Sequence, residues 1–313
     1  MPLDPAIEVL LGQISALPPM SQGTAEEARA AFAQLTGLAA ALAPPPEIGP
    51  VGDLEVAGAA GPLPARLYLP AGAERPLPTL VFLHGGGFTI GDIGTYDAQC
   101  RTLCGGSGAA VLSVGYRLAP EHPFPAAADD AIAATEWALT HADRLGGDAA
   151  AIAVGGDSAG GNLAAVAAQA RRGPEPGLAG QFLLYPVTDF TTERPSLDRN
   201  GEGLFLTRDD MEWFLGNYMP DESGRDDPKA SPLLAADLAG LPPAVVATAE
   251  YDPLLDDGEA YAEALAAAGV AVVHHRYEGL IHGFMALGAL SPAAAAATDR
   301  VCADLRELLR AAA

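Results

Sequence analysis

The sequence predicts an α/β protein built on one mostly parallel sheet. Short apolar runs rich in Val, Ile and Leu alternate with longer helix-like stretches through most of the 313 residues. Strands that are apolar along their whole length are typical of a sheet covered by helices on both faces. No low-complexity linker or internal repeat divides the chain, so we expect one large α/β domain with appendages.

The first fifty residues are predicted to be helical. Residues 5–14 and 24–42 have helical patterns, and the second segment places apolar side chains at helical spacing. A proline-rich stretch at residues 43–46 separates both from the remainder. We therefore expect residues 1–50 to form a helical cap segment and residues 51–313 to form the main domain.

Eight strands are predicted. The first two are short, alternating and split by Gly and Pro, which suits a hairpin. The strands are residues 53–56, 65–69, 79–83, 110–116, 151–154, 181–187, 244–249 and 271–277. Helices are predicted at residues 96–103, 126–140, 163–172 and 292–310. Ligands of such sheets bind outside the carboxyl ends of the strands, so we expect a site there.

One connection is too long to be a simple link between strands. It spans residues 188–243, and within it residues 207–218 are predicted to form a helix with Thr207 as N-cap. Its apolar face carries Met211, Phe214, Leu215 and Tyr218. We expect an insertion at about residues 190–225 to overhang the strand ends as part of a lid lining an apolar pocket. Ordinary packing against the N-terminal helices is the alternative.

A serine lies in the pentapeptide Gly156-Asp157-Ser158-Ala159-Gly160, after the predicted strand 151–154. A tight turn from strand to helix pushes such a side chain out of the sheet, and the flanking glycines avoid a collision with the backbone. A serine needs this exposure, and a partner base, to act as a nucleophile. The motif predicts Ser158 as nucleophile, with a structural turn as the alternative. Asp157 is expected to point away, in a supporting role at most.

A second glycine motif, His84-Gly85-Gly86-Gly87-Phe88, follows the predicted strand 79–83. Consecutive glycines let a loop present bare N–H groups to a substrate oxygen. Acyl transfer needs such donors because negative charge develops on the carbonyl oxygen. We expect the N–H groups of Gly86, Gly87 and Ala159 to form an oxyanion hole, and His84 to orient the loop. A flexible turn is the alternative.

Six histidines are candidates for the general base. The position of His282, in a loop directly after the last predicted strand, lets it reach the serine from the carboxyl edge of the sheet. Side chains within a strand face opposite sides alternately and cannot reach that edge. The other five lie in the glycine loop, before the serine or within a strand: His84, His122, His141, His274 and His275.

Two aspartates, Asp189 and Asp252, end strands after the serine. The acid of such a site orients the imidazole and stabilises its charged form. Asp252 lies on the strand next to the one leading to His282, so we favour Asp252 and keep Asp189 as the alternative. Asp256 and Asp257 begin the following helix, where we expect them to be solvated or to compensate the helix dipole.

The composition bears on partners and metal binding. A net charge of −23 repels nucleic acid and anionic lipid and favours a neutral or cationic substrate. Three cysteines argue against a disulfide framework. Cys100 and Cys104 share a helix face, but no cluster completes a metal site, so we expect small buried side chains. Neither a secretory signal nor a membrane span is visible, and a cytoplasmic protein is expected.

Five motifs, which together span about residues 77–288, resemble the hormone-sensitive-lipase-like family of α/β hydrolases, in its bacterial esterase branch, family IV. They are His84-Gly85-Gly86-Gly87-Phe88, Tyr116-Arg117-Leu118-Ala119-Pro120-Glu121 with Phe124-Pro125-Ala126-Ala127, Gly156-Asp157-Ser158-Ala159-Gly160-Gly161, Tyr251-Asp252-Pro253-Leu254 and His282-Gly283-Phe284. The resemblance implies the α/β-hydrolase fold, with a mostly parallel central sheet of about eight strands, helices on both faces and a helical cap. It also implies a triad of Ser158, Asp252 and His282.

The same resemblance implies a carboxylesterase that hydrolyses short- to medium-chain acyl esters through an acyl-enzyme, without metal or cofactor. The expected partner is a small neutral ester, with no nucleic acid and no stable membrane association, and the expected state is a monomer or homodimer. The residues expected to line the substrate pocket are Phe88, Phe32, Met211, Phe214, Leu215, Ile281 and Phe284.

Two other functions stay open at this point. Amide or peptide hydrolysis could use the same triad, although the chain has no large propeller-like domain and no evident site for a peptide backbone. A non-catalytic small-molecule receptor could use the same scaffold. Related plant hormone receptors resemble this family but lack the histidine, whereas His282 is present here.

Overall fold

An eight-stranded sheet lies at the centre of a computed structural model that describes residues 1–14, 19–72, 74–173 and 177–311. The strands are β1 Val51–Gly58, β2 Gly61–Tyr68, β3 Leu77–Leu83, β4 Ala110–Val114, β5 Gly147–Asp157, β6 Gly180–Leu184, β7 Ala244–Tyr251 and β8 Val272–Ile281. Their order is β1-β2-β4-β3-β5-β6-β7-β8. The β1–β2 and β2–β4 pairs are antiparallel, and all other neighbours are parallel.

Helices cover the sheet. In the described part of the chain they are α1 Pro5–Ile14, α2 Ala25–Leu42, α3 Asp97–Ser107, α4 Ala126–Thr140, α5 Ala142–Leu145, α6 Ala159–Ala170, α7 Pro195–Asn200, α8 Arg208–Tyr218, α9 Leu255–Ala267 and α10 Pro292–Arg310. Short 3₁₀ turns occur at Met20–Gln22, Pro232–Leu234 and Phe284–Leu287. None of the helices in the described ranges is long and apolar enough to cross a membrane.

Both faces of the sheet are buried, as the continuous apolar strands predict. Along β3, Leu80 and Phe82 belong to the cluster that contains residues of α3 and α10, whereas Val81 and Leu83 belong to the cluster with α4 and α6. Alternate residues of a strand point to opposite faces, so the two clusters lie on opposite sides of the sheet. The predicted helix-covered parallel sheet is therefore confirmed.

The hairpin strands are longer than predicted, because Pro62 and Pro64 interrupt the sequence pattern of β2. Proline cannot donate a hydrogen bond to a sheet ladder, so prolines are found where one edge of a strand has no partner. Both prolines pair with β1, and the ladder between β2 and β4 runs only from Ala65 to Tyr68, so neither proline has to donate to β4. The Pro64 carbonyl accepts the N–H of Gly115, just after β4. The observed hairpin closes between Gly58 and Gly61.

The ends of two other strands and the start of one helix also differ from the predicted ones. The predicted strand 181–187 ends at Leu184, because Tyr185 has a φ of 37°, which a β-strand cannot accommodate. The last strand extends to Ile281, four residues beyond the prediction, and so delivers His282 directly. Helix α6 begins at Ala159, immediately after Ser158, rather than at residue 163.

The N-terminal segment and the long insertion meet. Helix α8 begins after Thr207, whose side chain accepts the N–H of Asp210, so the predicted N-cap is confirmed. This helix packs against the 3₁₀ turn Met20–Gln22. Near the start of the chain, Ile7 and Leu11 of α1 are buried in the α3–α10 cluster. The three cysteines, including Cys100 and Cys104, are buried and free, as expected for small buried side chains.

Candidate active site

Ser158 occupies the sharp turn between β5 and α6. Its φ and ψ are 54° and −120°, a combination that few non-glycine residues adopt. Such strain costs on the order of 1–3 kcal/mol and persists only where the surroundings enforce it. The Ser158 N–H donates to the carbonyl of Leu184 at 2.8 Å, and the Asn162 N–H donates to the carbonyl of Ser158 at 3.1 Å. The neighbouring strand and the first turn of α6 therefore hold the serine in place.

The glycines on either side of the serine let main chain approach main chain. A Cβ added to Gly160 would overlap the carbonyl oxygens of Leu83 and His84, and one added to Gly156 would overlap the Leu83 oxygen. The turn is thus pressed against the end of β3, where the glycine loop begins. This contact brings the serine close to the backbone N–H groups of that loop.

A hydrogen-bonded chain connects the serine, the histidine and the aspartate. His282 Nε2 lies 2.9 Å from Ser158 Oγ, and His282 Nδ1 lies 2.7 Å from Asp252 Oδ2. A carboxylate only accepts hydrogen bonds, so a neutral His282 carries its proton on Nδ1 and leaves Nε2 free to accept from the hydroxyl. The three side chains that were predicted to meet therefore do so, with hydrogen-bond geometry suited to removing the serine proton.

Hydrogen bonds to its side chain and backbone hold Asp252 in place. Asp252 is 0% exposed, and its other oxygen, Oδ1, accepts the N–H of Leu254 at 2.7 Å. The side-chain amide of Asn200 donates to the backbone carbonyl of Asp252 at 3.0 Å. A buried carboxylate must be hydrogen-bonded to stay ionised. These contacts keep the carboxylate aimed at the imidazole.

Two residues expected to line the pocket, Ile281 and Phe284, are instead buried in the core next to His282. The Tyr185 ring meets the His282 ring at 62° with centroids 4.8 Å apart, and Phe284 contacts Tyr185 and Tyr277. Ile281 and Phe284 are both 0% exposed, so neither has surface to offer a substrate. They support the imidazole from within the core, because β8 and the following turn continue directly into the apolar cluster.

The glycine loop is held by its hydrogen bonds. The Gly86 carbonyl accepts the N–H groups of Thr89 and Ile90 at 3.0 and 2.9 Å. Gly86 and Gly87 have φ values of 106° and 56°, which favour glycine. No acceptor in the described part of the chain takes the N–H of Gly86, Gly87 or Ala159. These are the donors predicted for an oxyanion hole.

His84 lies beneath the loop. Its ring stacks on Tyr116 with centroids 4.4 Å apart, and the Tyr116 hydroxyl donates to the His84 carbonyl at 2.6 Å. Burial lowers the pKa of His84 to about 4, so the ring is neutral near pH 7. Its Nδ1 lies 2.8 Å from the Gly85 carbonyl and donates to it. These contacts match the orienting position expected for His84.

Asp157 also supports the glycine loop. Its Oδ1 accepts the N–H of Gly85 at 2.8 Å, and its Oδ2 accepts the Tyr96 hydroxyl at 3.2 Å. Burial raises the pKa of Asp157 to about 6, against the lowering effect of the Gly85 N–H. The contact with Tyr96 was not predicted, since residues 61 positions apart in the chain carry no shared pattern.

The remaining aspartates are tied to other groups. Asp189 accepts from Arg194 at 3.0 Å, whereas the carboxylate bound to His282 Nδ1 is that of Asp252. The expectation that Asp257 is solvated is wrong, because this carboxylate is 5% exposed. It accepts the N–H groups of Thr188 and Asp189 at 3.1 Å each, and burial raises its pKa to about 7. Asp256 accepts the N–H of Ser196 at 2.7 Å.

The other histidines have partners or positions away from the serine. His274 Nε2 lies 3.0 Å from the Thr248 hydroxyl, and His275 Nε2 lies 3.2 Å from Asp304. His141 closes the end of α4, and His122 is exposed. Within the described residues, no group of three or more His, Cys, Asp or Glu is arranged to hold a metal ion.

Aromatic side chains of the insertion lie above the glycine loop. Phe88 stacks on Tyr218 with centroids 3.8 Å apart. Phe214 packs directly on Gly87, because a Cβ added to that glycine would overlap its ring. Met211 and Leu215 are half-buried on the same helix. Phe32 of α2 is half-buried beside Tyr96, with ring centroids 6.2 Å apart.

Comparisons with known proteins agree with this architecture. A family model for the α/β-hydrolase fold matches residues 80–286. Carboxylic ester hydrolase LipN of Mycobacterium tuberculosis is 44% identical, over 97% of this chain and 82% of its own length. An arylesterase of Saccharolobus solfataricus is 36% identical, over 91% of this chain and 93% of its own length.

Solved structures give the same result. Ester-hydrolase EH1AB1 from the metagenome of Lake Arreo, complexed with a derivative of bipyridine phosphonate, has a TM-score of 0.93 and 43% identity, and the match covers 97% of this chain and 98% of that one. A hyperthermophilic esterase from Pyrobaculum calidifontis has a TM-score of 0.93 and 42% identity over 100% of both chains. The chain therefore belongs to the hormone-sensitive-lipase-like branch of the α/β-hydrolase family and is a carboxylic ester hydrolase.

Proposed function

We propose that this protein is a serine carboxylesterase in which Ser158 is the nucleophile, His282 the general base and Asp252 the residue that orients the base. The observation that carries the proposal is the continuous chain of contacts, 2.9 Å from Ser158 to His282 and 2.7 Å from His282 to Asp252. The identity of the relatives as ester hydrolases supports the reaction class.

In the first half of the proposed reaction, the serine oxygen attacks the ester carbonyl as His282 Nε2 takes its proton. The imidazolium that forms is stabilised by Asp252 through Nδ1. Negative charge on the carbonyl oxygen is accepted by the N–H groups of Gly86, Gly87 and Ala159, which have no protein acceptor in the described part of the chain. His282 then protonates the departing alcohol, leaving an acyl-enzyme.

In the second half, a water molecule attacks the acyl-enzyme and repeats the sequence. His282 removes a proton from the water, the same N–H groups hold the second oxyanion, and the proton returns to Ser158 as the acid departs. Apart from water, the proposed reaction uses only groups of this chain.

The proposed substrate is a small neutral ester with a short- to medium-chain acyl group. Phe214 packs on Gly87, and Phe88, the next residue of the loop, stacks on Tyr218, which puts aromatic rings next to the proposed oxyanion hole. The half-buried side chains of Met211, Leu215 and Phe32 extend this surface. The net charge of −23 disfavours anionic substrates. On this proposal, residues 1–50 and the insertion at 190–225 form the cap.

The test is Ser158→Ala assayed with p-nitrophenyl butyrate. We expect kcat to fall by about 10⁴-fold or more, because the residual rate of such variants comes from binding and oxyanion stabilisation alone. An alkyl fluorophosphonate should label the wild type once, at Ser158, by intact mass and peptide mapping. Ser223→Ala, at an exposed serine, is the control and should behave as the wild type.

Turnover by Ser158→Ala above one hundredth of the wild-type rate would exclude the assigned nucleophile. Matched butyryl ester and butyryl anilide substrates separate esterase from amidase activity. We expect a strong preference for the ester, and comparable kcat/KM values for the two would contradict the proposed substrate class.

A further inference from the structure

We propose that Arg29, on helix α2, is a positioning residue for the oxyanion loop, an inference that rests on the proposed esterase function. Its guanidinium reaches from the N-terminal segment to two loops of the main domain. Arg29 Nε donates to the carbonyl of Thr89 at 2.8 Å, and Nη2 donates to the carbonyl of Ala119 at 2.7 Å. Thr89 lies two residues after Gly87 in the glycine loop.

The two carbonyls belong to segments that also bind each other. The Ala119 N–H donates to the Phe88 carbonyl at 2.8 Å. Consecutive carbonyls, those of Phe88 and Thr89, are therefore both engaged, the first by Ala119 and the second by Arg29. Because peptide groups are planar, fixing them also restricts the turn from which the N–H groups of Gly86 and Gly87 project.

A carboxylate holds the guanidinium in this orientation. Glu121 accepts from Nη1 and Nη2 of Arg29 at 2.8 and 2.7 Å, which is the bidentate geometry that an arginine fork favours. Arg29 also lowers the pKa of Glu121 to about 2, so the pair stays ionised across the working pH range. One side chain thus joins α2, the glycine loop and the Ala119–Glu121 segment.

Helix α2 has few other attachments. Among the residues of α2, all of which the structure describes, Ala28 alone is buried, and Phe32 is half-buried. The capping box of Thr24 and Glu27 fixes the start of the helix one turn before Arg29. The contacts of Arg29 are therefore a main connection between this helix and the proposed catalytic groups.

A positioning role for Arg29 and a stabilising role predict effects of different size on rate and on folding. The side chains of Arg29 and Glu121 are 30% and 56% exposed, and ion pairs with such exposure contribute about 0–1 kcal/mol to folding. A displacement of about 1 Å in a group aimed at the transition state can lower the rate by ~10²-fold. The expected signature is a large loss of kcat with a small change in thermal stability.

Three variants, two at Arg29 and one at Glu121, test the inference. With p-nitrophenyl butyrate, we expect Arg29→Ala to lower kcat by about 10- to 100-fold while KM changes by less than about twofold. Arg29→Lys should fall between that variant and the wild type, because an ammonium group cannot bind two carbonyls and a carboxylate in one plane. Glu121→Gln should lower kcat by less than about tenfold, since it leaves the two carbonyl contacts in place.

The second measurement is inhibition by an alkyl trifluoromethyl ketone, which adds to the serine hydroxyl and places an oxyanion beside the loop. Its Ki for Arg29→Ala should rise by the same factor as kcat/KM falls. The control is Arg172→Ala. Arg172 also pairs with a carboxylate at 3.0 Å and donates to a loop carbonyl at 2.8 Å, both on Asp237, but far along the chain from the glycine loop. This control should keep wild-type kcat and Ki.

The outcomes are distinct. An Arg29→Ala variant with kcat within twofold of the wild type, or one that raises KM while kcat is unchanged, would overturn the inference. So would a loss of kcat that only follows a lowered melting temperature, or that Arg172→Ala reproduces. Failure of the wild type to take a phosphonate label at Ser158 would instead overturn the proposed function itself.

Discussion

Two regions of the molecule meet at the glycine loop, and they are held in different ways. Asp252 and His282 lie at the ends of β7 and β8 and are 0% and 7% exposed, backed by fully buried side chains. The covering layer, which we define as residues 19–50 and 190–225, is attached partly through buried side chains of α8, such as Phe214 and Tyr218, and partly through other contacts. Among these are the hydrogen bonds from Arg29 to the Thr89 and Ala119 carbonyls and the contact of Phe214 with Gly87.

This difference assigns different tasks to the two regions. Burial of apolar surface is the dominant favourable term in folding, and residues embedded in it lose little precision to local motion. The groups proposed for proton transfer therefore depend on the same packing that stabilises the sheet. On the proposed function the covering layer faces the substrate, so we expect substitutions at its exposed and half-buried residues to change selectivity at small cost to folding.

The sharpest test of the sheet region compares two aspartates. Asp252→Asn should lower kcat by about 10³- to 10⁴-fold, because an amide cannot hold the imidazole in the productive tautomer. Asp189→Asn, at a similarly buried aspartate bound to Arg194, should keep kcat per folded molecule within a few-fold. Steady-state kinetics with active-site titration measures both. Equal losses in the two variants would remove the distinction between these carboxylates.

The second test lies where the two regions touch. Gly87→Ala should lower kcat by about 10²- to 10³-fold, because the new methyl group meets the Phe214 ring and displaces an oxyanion donor. Gly108→Ala is a matched control, since its φ of 75° is also left-handed but no atom lies within 4 Å of the added Cβ. It should lose about 1 kcal/mol of stability and retain its activity. Normal kcat in Gly87→Ala would argue against the assigned donors.

The covering layer should respond in selectivity rather than in rate. Phe214→Ala removes the ring beside Gly87, so the ratio of kcat/KM for octanoyl to acetyl p-nitrophenyl esters should rise by about tenfold. Leu38→Ala, on the outer face of α2 and 58% exposed, should leave the ratio unchanged. An unchanged ratio in Phe214→Ala would show that this ring does not line the acyl pocket.

The smallest expected effect is on the pH dependence of folding stability, through Asp257, which accepts the N–H groups of Thr188 and Asp189 just before the insertion. Burial raises the pKa of Asp257 to about 7, so between pH 4 and pH 7 the folded state binds a proton that the unfolded chain has released. Its contribution to stability therefore falls as pH rises through this range. Relative to the wild type, Asp257→Asn should gain about 1–3 kcal/mol between pH 5 and pH 8 in urea unfolding. A pH-independent difference would contradict this assignment.

Much of the sheet region could be predicted from the sequence. Its strands are continuous apolar runs, and residues at strand ends such as Asp252 and His282 meet because parallel strands share a carboxyl edge. The register of the turn at Ser158 is likewise local, set by glycines two positions on either side. Pattern alone therefore located the three side chains that lie in hydrogen-bond contact.

The remaining features depend on contacts between distant segments. Burial of Asp257 follows from the position of the backbone at Thr188, which no spacing within the helix reveals. The same holds for Tyr96 with Asp157 and for Arg29 with Thr89, pairs that are 61 and 60 positions apart in the chain. Ile281 and Phe284 were expected in the pocket, but the end of β8 and the 3₁₀ turn that follows pack into the apolar cluster and bury them.

The close approach of Gly160 to the end of β3 has a practical consequence. Since α6 meets Leu83 and His84 through main-chain atoms at Gly160, the position of the serine turn against the end of β3 depends on atoms that every amino acid carries. Residues 159–168 of α6 are buried, so substitutions for thermal tolerance belong at its exposed C-terminal end, away from this contact. A side chain at position 160 would overlap the carbonyl oxygens of Leu83 and His84, so this contact tolerates only glycine unless the turn is rebuilt.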